Sequence, residues 1–398
     1  MKILILNTYY YPNVIGGTEV SLKLLAERLV KKGHSVQVFT ADGIKNLSQS
    51  VNGIKVKRFK GILYKNKLNR LLYRFLDCYN PLILKNLYNL IVNFKPDIMY
   101  TNNLFYLSPF VWKIAKYKFD IPIVHTIRDI WLWCPKSKLA STDNRKCNNI
   151  LCSSFRSYIK FLSRYVDYVT APSKAIMDFF VGKGYFKNAF KDVIPNAVDV
   201  DRKAVEETID LRVKKPPDRS LKFLYMGRLS ETKGVRLLIN AFKKLPEKNV
   251  ELIICGDGEL KEFVMKSTEQ DKRIKYLGAV FDNEKEKVYK MCDVLVFPSL
   301  SFEAFGRVVI EAYQFGLPVI ATNFGGTKEI VLDNQTGILI NTLSEDSLIL
   351  AIKKMMDEDF RRRLIGNIYP FVLNFSLDEQ IKRFESVFET AIWFHHSL

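Results

Sequence analysis

Short apolar runs alternate with longer amphipathic stretches along the whole sequence, and this alternation constrains the fold more than any other feature. The runs at 3–6, 98–101 and 294–297 are apolar at nearly every position, as in strands that are covered on both faces. Each run is followed by a stretch with helical periodicity, which is typical of parallel strands joined by helices. We therefore predict an α/β protein. The other predicted strands are 35–40, 54–58, 121–125, 168–171, 222–226, 251–255, 275–277, 318–321, 337–340 and a short strand ending at Ile194.

The length of the chain predicts two domains. Its 398 residues exceed what one hydrophobic core usually serves. A polar stretch that includes Lys214, Lys215, Pro216 and Pro217 separates the two series of strands, and its composition suits a linker. We predict an N-terminal Rossmann-like domain over 1–195 and a C-terminal one over 196–377. A last helix at about 378–394 follows the second sheet.

The positive charge lies entirely in the first half of the chain. Residues 1–200 carry 31 Lys and Arg against 12 Asp and Glu, whereas residues 201–398 carry 30 of each. This asymmetry predicts that one domain faces an anionic surface or substrate. Nucleic acid is disfavoured as the partner because the sequence has no recognisable recognition helix, RNA-recognition motif or zinc finger.

Targeting and metal signals are weak. The sequence has no uninterrupted apolar run of the roughly 18 residues that a membrane span needs, and its first seven residues suit a strand better than a signal peptide. We therefore expect a cytoplasmic protein. Cys134, Cys147 and Cys152 lie close together, but no fourth Cys or His completes a zinc set.

Two loops of the first half are candidates for ligand binding, because doubly wound sheets bind ligands beyond the carboxyl ends of their strands. Gly16 and Gly17 open a helix, where backbone amides and the helix dipole attract anions; a tight turn is the alternative. The pair does not match the dinucleotide pattern G-x-G-x-x-G, which argues against a dehydrogenase. His125 ends a predicted strand and precedes Arg128 and Asp129; a structural role is the alternative.

Two loops of the second half carry charge. Arg228 follows the strand at 222–226, and Lys233 lies at the start of the next helix. Two cations at one loop can neutralise a diphosphate, although a solvated basic loop has the same composition.

The loop after the strand at 294–297 is the strongest candidate. It holds Glu303, and the helix that follows holds Glu311. Carboxylates accept hydrogen bonds from sugar and ribose hydroxyls. Phe305 and Gly306 offer backbone groups at the start of that helix.

Taken together, these loops resemble the family 4 (group 1) retaining glycosyltransferases of the GT-B fold over nearly the whole chain. The resemblance is carried, in order, by Gly16-Gly17, His125 with Arg128, Ala171-Pro172-Ser173, Ile194-Pro195-Asn196 with Val198-Asp199, Gly227-Arg228 with Lys233-Gly234, Gly256-Asp257-Gly258, and Glu303 with Glu311. Each motif is common alone, whereas the ordered set is specific.

The resemblance implies two Rossmann-like domains that face a central cleft, with the last helix (about 378–398) crossing back to the N-terminal domain. It also implies a nucleotide-diphosphate sugar donor and a glycan or lipid-linked acceptor in the biosynthesis of cell-surface polysaccharide such as lipopolysaccharide. We expect a UDP-sugar in preference to a GDP-sugar, although the residues do not distinguish uridine from guanosine. No metal or other cofactor is implied.

The resemblance also implies roles for the candidate residues. These are Gly16 and Gly17 over the donor phosphates, Arg228 and Lys233 on the diphosphate, Glu303 with the amides near Phe305 and Gly306 on the donor sugar, Glu311 on the ribose, and His125 beside the transferred sugar. Two departures stand out: Ala197 follows Asn196 where the family usually has Gly, and Thr126 follows His125 where many members have Asp. The second departure leaves the role of Asp129 open.

The basic excess adds a possible partner. Residues 59–94 are predicted to form two helices in which Lys60, Lys65, Lys67, Arg70, Arg74 and Lys85 interleave with apolar residues. Such helices can lie on an anionic membrane, although the apolar stripe of either helix could instead pack on the sheet.

A nucleotide-sugar epimerase or a phosphorylase of the same two-domain architecture is the alternative function.

Overall fold

The computed structural model describes residues 1–43, 46–60, 76–134, 150–214 and 220–397. Contacts within the chain divide it into two compact units. The N-terminal unit comprises Met1–Lys138, Arg145–Asn196 and Leu377–Leu398, and the C-terminal unit includes Ala197–Ser376. The last helix of the chain therefore belongs to the N-terminal unit.

The N-terminal unit is built on an eight-stranded sheet in the order β3-β4-β2-β1-β5-β6-β7-β8. Its strands are β1 (Lys2–Leu6), β2 (Ser35–Gly43), β3 (Leu47–Val51), β4 (Ile54–Lys60), β5 (Ile98–Thr101), β6 (Ile123–Thr126), β7 (Tyr168–Ala171) and β8 (Phe190–Val193). All neighbours are parallel except β3 and β4. The described helices are α1 (Gly17–Lys31), α2 (Pro81–Phe94), α3 (Phe110–Phe119), α4 (Ile150–Leu162), α5 (Lys174–Val181) and the C-terminal helix, Leu377–Ser397.

The C-terminal unit has a six-stranded parallel sheet in the order β11-β10-β9-β12-β13-β14. Its strands are β9 (Leu221–Met226), β10 (Val250–Cys255), β11 (Ile274–Gly278), β12 (Val294–Phe297), β13 (Val319–Thr322) and β14 (Gly337–Ile340). Its helices are α6 (Arg202–Val213), α7 (Val235–Lys243), α8 (Lys261–Gln270), α9 (Asp282–Met291), α10 (Arg307–Gln314), α11 (Thr327–Ile330), α12 (Glu345–Met356) and α13 (Glu358–Val372); the C-terminal helix is α14.

Two apolar layers enclose the C-terminal sheet. Successive residues of β9 alternate between them: Phe223 and Tyr225 pack on one side with α7 and α12, and Leu224 and Met226 pack on the other with α10 and α13. Both layers are buried, which explains why these strands are continuously apolar in sequence.

The predicted fold class is confirmed, because the chain forms two units, each with a Rossmann-like parallel sheet covered by helices. The polar segment between the two series of strands differs from a plain linker. Asp201 caps a regular helix there, its carboxylate accepting a hydrogen bond from the amide of Ala204 at 3.1 Å, and Val205 and Ile209 of that helix, α6, pack in the C-terminal core. Residues 215–219 lie outside the described residues.

Helix α2 shows how local sequence sets the boundaries of an element. The Asn80 side chain accepts a hydrogen bond from the amide of Ile83 at 3.2 Å, and Pro81 occupies the first helical position; both are favoured at helix starts. The helix ends at Phe94, and the residue that caps it, Lys95, has a left-handed φ of 49°. None of the helices in the described part of the chain combines the length and the apolar character that crossing a bilayer requires.

Candidate functional site

The order of the C-terminal sheet places two of the predicted loops side by side. Strands β9 and β12 are neighbours although two strands separate them in sequence. The direction of winding therefore reverses between them, and this is where doubly wound sheets bind ligands. The loop at 227–234 leaves β9, and the loop at 298–306 leaves β12.

Close backbone contact ties these two loops together. The amide of Leu300 donates to the carbonyl of Thr232 at 2.9 Å. A Cβ on Gly234 would lie 1.9 Å from the carbonyl oxygen of Pro298, and Gly234 has a φ of 72°. Only glycine meets both requirements, so the spacing between the loops depends on it.

The loop after β10 joins the same assembly. The amide of Leu229 donates to the carbonyl of Asp257 at 2.9 Å. A Cβ on Gly256 would lie 1.8 Å from the carbonyl oxygen of Gly227, and one on Gly258 would lie 2.5 Å from that of Leu229. The Gly256-Asp257-Gly258 motif therefore lets two loops touch along their backbones.

Lys233 and Glu303, both predicted site residues, meet at this edge of the sheet. The Lys233 Nζ atom lies 2.5 Å from Oε1 of Glu303. The hydroxyls of Ser299 and Ser301 also lie within hydrogen-bond distance of this oxygen, at 2.5 and 3.4 Å. Within the described residues, the second oxygen, Oε2, has no hydrogen-bond partner. Glu303 therefore has one saturated oxygen and one that can accept a bond from a ligand.

Arg228 belongs to the same loop as Lys233. The Tyr225 hydroxyl donates to the carbonyl of Arg228 at 2.7 Å, and burial together with the nearby Glu303 carboxylate raises the pKa of Tyr225. The Arg228 side chain is exposed. Its guanidinium makes no hydrogen bond or ion pair with any residue that the structure describes, so it is available to an anion.

Glu311 belongs to a separate network. It accepts a bond from Nε of Arg307 at 2.9 Å, pairs with Lys285, and accepts a bond from the hydroxyl of Tyr289 at 3.1 Å. Burial opposes ionisation of Glu311, but the charges of Lys285 and Arg307 hold its pKa below the usual value. Among the described residues, Glu303 and Glu311 share no hydrogen-bond partner.

Phe305 and Gly306 lie between the two glutamates. The Phe305 side chain is buried in the core and packs edge-on against Phe375, with ring centroids 6.0 Å apart. Gly306 caps α10 with a φ of 100°. Only the backbone of Phe305 is thus left for a ligand, which is the contribution predicted for it.

The Gly16-Gly17 loop follows β1 in the N-terminal unit. Both glycines are exposed, and Gly16 caps α1 in an extended conformation. The Gly16 amide is already engaged, because it donates to the carboxylate of Glu19 at 2.8 Å. A phosphate at this helix start would therefore meet an acidic side chain, a feature that the sequence analysis missed although Gly16 and Glu19 have the spacing of a capping box.

His125 lies inside β6 and is buried. Its Nδ1 is 2.9 Å from the hydroxyl of Thr101, and its ring stacks on Phe186 at 5.5 Å. Burial and the nearby charge of Arg128 lower the pKa of His125 to about 3. The imidazole is therefore neutral near pH 7. Its pKa lies far below the working pH, whereas a general base works best with a pKa close to that pH.

Arg128 and Asp129 occupy the loop after β6. The guanidinium of Arg128 donates to the side chains of Asn102 at 2.8 Å, Asn196 at 2.6 Å and Tyr100 at 3.3 Å. Burial raises the pKa of Asp129, although its carboxylate accepts a bond from the Trp131 amide at 2.7 Å. All of these groups belong to the N-terminal unit.

Several residues of these networks were not predicted. Lys285, Arg307 and Tyr289 around Glu311 are among them, as are Ser299 and Ser301 around Glu303. The four-residue spacing of Arg307 and Glu311 on a helix was a usable signal for an ion pair, whereas the Lys285 contact joins different helices.

The cysteine cluster and a possible metal group lie elsewhere in the N-terminal unit. Cys147 is outside the described residues, and Cys152 is buried in α4. Asp120, His395 and His396 could offer three ligand atoms to a metal. However, Nδ1 of His395 lies 2.7 Å from the Lys116 ammonium, which disfavours a cation.

Comparisons with known proteins agree with this fold. Residues 15–202 match Glycosyltransferase Family 4, and residues 206–369 match Glycosyl transferases group 1. An uncharacterised 42.6 kDa protein in the cps region of Klebsiella pneumoniae is 33% identical over 343 residues, which are 83% of this chain and 87% of that protein.

Two characterised proteins are also similar. A lipopolysaccharide 1,2-N-acetylglucosaminetransferase of Salmonella typhimurium is 32% identical over 185 residues, 43% of this chain and 48% of that enzyme. The crystal structure of Anabaena HepE in complex with UDP-glucose has a TM-score of 0.71 at 21% identity, covering 98% of this chain and 100% of that one. The two family matches lie in succession along the chain, one in each series of strands, and the chain is therefore a glycosyltransferase that belongs to group 1, family 4, with the GT-B fold class.

Proposed function

We propose that this glycosyltransferase moves a sugar from a UDP-sugar to a glycan or lipid-linked acceptor in cell-surface polysaccharide biosynthesis, with retention of anomeric configuration and without a metal. The observation that carries the proposal is the Lys233–Glu303 pair at the junction of β9 and β12, with Arg228 in the same loop as Lys233, exposed and without a side-chain partner among the described residues. A cation next to a carboxylate that keeps one open oxygen suits a ligand with both phosphate and hydroxyl groups.

The two cations have a defined task in this reaction. Cleavage of the bond at the anomeric carbon leaves negative charge on the departing diphosphate. Arg228 and Lys233 would stabilise that charge, and their positive charges would take the place of a metal ion. The backbone of Gly16 and Gly17 would contact the donor phosphates. The Gly16 amide would then have to exchange its hydrogen bond to the Glu19 carboxylate for one to a phosphate oxygen.

The two glutamates would accept hydrogen bonds from sugar hydroxyl groups. Glu303 would accept a bond from a donor-sugar hydroxyl through its open oxygen, with the backbone amides near Phe305 and Gly306 beside it. Glu311 would accept from the ribose hydroxyls. Because Glu311 already holds Arg307 and Lys285, its carboxylate stays ionised and fixed in place. His125, neutral and buried, would contribute shape and hydrogen bonding rather than proton transfer.

The donor and acceptor classes rest on similarity. HepE was crystallised with UDP-glucose, and the Salmonella relative acts on lipopolysaccharide; these findings support UDP as the carrier and a surface glycan as the acceptor.

The test is an assay of the full chain with UDP- and GDP-sugars, with and without a lipid-linked oligosaccharide. We expect transfer from a UDP-sugar only when the acceptor is present, at a rate that EDTA does not change. We also expect the NMR spectrum to show an α-linked product from an α-linked donor. Conversion of the donor sugar without acceptor would identify an epimerase. Release of a sugar phosphate that requires inorganic phosphate would identify a phosphorylase. Either result would overturn the proposal.

We also propose that the N-terminal unit docks on an anionic membrane. The prediction of helices from residue 59 onward is wrong for Lys60, which ends strand β4. Lys65, Lys67, Arg70 and Arg74 lie outside the described residues, but α2 is described. One apolar stripe of this helix, including Ile83, Leu87 and Ile91, is buried. A second stripe remains exposed, with Leu82 at 69%, Tyr88 at 44% and Val92 at 48% exposure, and Lys85 lies between them.

Neighbouring elements extend this face. The Tyr88 ring packs on Phe119 at 4.9 Å, and the ammonium of Lys118 lies 5.9 Å from the Tyr88 ring. Tyr117 on the same helix is 70% exposed. Exposed aromatic rings with interleaved cations suit a lipid headgroup region.

Flotation with vesicles tests the docking proposal. Wild type is expected to float with phosphatidylglycerol vesicles at low salt and not with phosphatidylcholine vesicles. The double variant Lys85→Glu/Lys118→Glu is expected to float less, because each cation near an anionic surface contributes about 1 kcal/mol. The double variant Lys266→Glu/Lys290→Glu, which makes the same change of charge at exposed positions of the C-terminal unit, is the control. Equal flotation with both lipids would exclude the proposal.

A further inference from the structure

The motif around Asn196 and Ala197, at which the chain leaves the N-terminal unit, has no role in the proposed function. Asn196 is the last residue of the N-terminal unit before this connection, and Ala197 belongs to the C-terminal unit. Both residues are buried and lie outside the helices and strands. Buried backbone groups of this kind need hydrogen-bond partners from other parts of the fold. Residues 197–199 of the C-terminal unit, the crossing segment, therefore depend on such contacts.

An arginine holds each of the two residues at this connection. Nη1 of Arg128, in the loop after β6, donates to Oδ1 of Asn196 at 2.6 Å. Nη1 of Arg307, the first residue of α10, donates to the carbonyl oxygen of Ala197 at 2.7 Å. The Nε atom of the same arginine lies 2.9 Å from Oε1 of Glu311. One side chain therefore joins the crossing segment to the candidate ribose-binding residue.

A second side chain of α10 also reaches the crossing segment. Nε2 of Gln314 donates to the carbonyl of Asp199 at 2.7 Å. Between the two contacts from α10, the Val198 amide donates to the carbonyl of Phe375 at 3.0 Å. The chain returns to the N-terminal unit just beyond that residue, after Ser376. The outgoing and the returning connections are thus hydrogen-bonded to each other, and α10 holds the outgoing one at two points.

Arg307 and Lys285 both neutralise Glu311, but they differ in geometry. A guanidinium is a planar, rigid group, whereas an ammonium is a point charge on a flexible stem. Because Nε and Nη1 of Arg307 lie in one plane, its bonds to Glu311 and to Ala197 have fixed directions relative to each other. Lys285 has no hydrogen bond to the crossing segment among the described residues. Of these two cations, Arg307 alone relates the orientation of the Glu311 carboxylate to the position of the crossing segment.

We propose that Arg307 is a positioning residue through which a nucleotide bound at Glu311 restrains the crossing segment. A ribose hydroxyl held by Glu311 would limit the motion of the carboxylate, and the shared guanidinium would limit the motion of the Ala197 carbonyl. Such coupling is reciprocal, so an ordered crossing segment would in turn favour nucleotide binding. The inference rests on the proposed function, because that function assigns the ribose to Glu311.

Hydrogen–deuterium exchange tests this coupling on the full chain, with UDP as the probe. Exchange is followed at the Val198 amide, with and without enough UDP to saturate the protein. In the wild type, bound UDP is expected to slow this exchange about tenfold, a typical strength for coupling between two sites. Arg307→Met removes the guanidinium and keeps an apolar stem, so the slowing should fall below about twofold.

Two further variants separate coupling from support of the Glu311 charge. Lys285→Met removes the other cation beside Glu311 and leaves the contact between Arg307 and Ala197. It is expected to bind UDP more weakly, while saturating UDP slows Val198 exchange as in the wild type. Arg307→Lys keeps a cation beside Glu311 but loses the planar group that holds both bonds. It should bind UDP better than Arg307→Met and still lack the slowing, and it carries the comparison if Arg307→Met does not fold.

Calorimetric titration of UDP supplies the saturating concentrations and separates this inference from the proposed function. Bound UDP that slows exchange equally in the wild type and in the Arg307 variants would overturn the inference, as would bound UDP without any slowing in the wild type. Loss of the slowing in Lys285→Met would also overturn it, because Arg307 would then act only by supporting Glu311. If the wild type binds no UDP, the proposed function fails and the inference fails with it.

Discussion

The two units place their polar groups at strand ends in opposite ways. In the C-terminal unit, the loops after β9, β10 and β12 touch through their backbones, and partly buried charges are paired with each other, as Glu303 is with Lys233. In the N-terminal unit, the loops after β5 and β6 line a small pocket, and among the described residues the buried Asn102 Nδ2 and Trp131 Nε1 atoms have no hydrogen-bond partner. The C-terminal unit also carries no net charge, whereas the N-terminal half carries the entire excess.

Under the proposed function, this difference would give the two units different tasks. Interlocked loops with fixed charges suit a ligand part that is always the same, such as a nucleotide diphosphate. Unsatisfied neutral donors suit a part that changes from one enzyme to another, because each discriminating hydrogen bond rejects a sugar that lacks the matching hydroxyl. The following predictions test whether the contrast is real.

Replacing a loop glycine should give the largest effect. At Gly256, which has a φ of 144°, an added Cβ would meet the Gly227 carbonyl at 1.8 Å. Gly256→Ala should therefore lower the free energy of unfolding by about 3 kcal/mol or more, as backbone strain does. Gly16→Ala, where the added Cβ has nothing within 4 Å, should change it by less than about 0.5 kcal/mol. Urea denaturation measures the free energy of unfolding of both variants. Equal losses would contradict the contrast between the two loops.

Removing a cation of the C-terminal unit should come next. Lys233→Ala deprives the departing diphosphate of a positive charge and Glu303 of its partner, so turnover should fall about 10²-fold. Lys290→Ala removes a cation from an exposed ion pair with Glu286 in the same unit, and should keep near-wild-type turnover. Initial rates with the preferred UDP-sugar measure both, and an active Lys233→Ala enzyme would contradict the phosphate assignment.

His125 should make the N-terminal unit sensitive to acid. The folded protein keeps this imidazole neutral, with its pKa lowered to about 3 by burial and by Arg128, whereas the unfolded chain binds a proton below about pH 6.5. Wild type should thus lose about 1.4 kcal/mol of stability per pH unit below that value relative to His125→Asn, or about 2 kcal/mol by pH 5. Urea denaturation from pH 7 to pH 5 tests this; parallel curves for the two proteins would show that His125 is not neutral in the fold.

Glu311 should give a smaller effect at lower pH. Lys285 and Arg307 overcome the effect of burial and hold its pKa below the usual value, so its contribution to stability is present above about pH 4.5 and is lost as the pH falls through the folded pKa. Glu311→Gln should cost about 1 kcal/mol at pH 7, since Lys285 is partly exposed and screened. The difference from wild type should shrink toward pH 3.5, and a constant difference would show that the charge is not what matters.

Most of the fold could be predicted from sequence because the strands of parallel sheets are continuously apolar. The exception, β3, is a half-exposed edge strand, Leu47–Val51, that pairs antiparallel with β4. Its sequence lacks an apolar run. The turn that follows, Asn52-Gly53, has positive φ at both residues and is a recognised hairpin signal, so this strand could have been predicted from its turn.

The candidate site was predictable only where strand order brings loops together. Arg228, Lys233 and Glu303 follow strands whose carboxyl ends meet at the switch in winding, and general topology rules place them there. The partner of Glu311 on α9, Lys285, depends on how two helices pack, which periodicity does not specify. Among the described residues, the Asn102 and Trp131 side chains have buried donors without an acceptor. The sequence cannot predict this, because it does not show which groups surround a side chain in the folded protein.

The most direct test of the central claim, that the β9–β12 edge of the C-terminal unit holds the donor diphosphate, is calorimetric titration of UDP into wild type, Arg228→Ala and Lys290→Ala. Arg228 is unpaired and exposed, so its removal should leave the fold intact and weaken UDP binding by about 2–3 kcal/mol, roughly 10²-fold. Lys290→Ala should bind like wild type. If Arg228→Ala binds UDP as tightly as wild type does, the diphosphate lies elsewhere and the account is wrong.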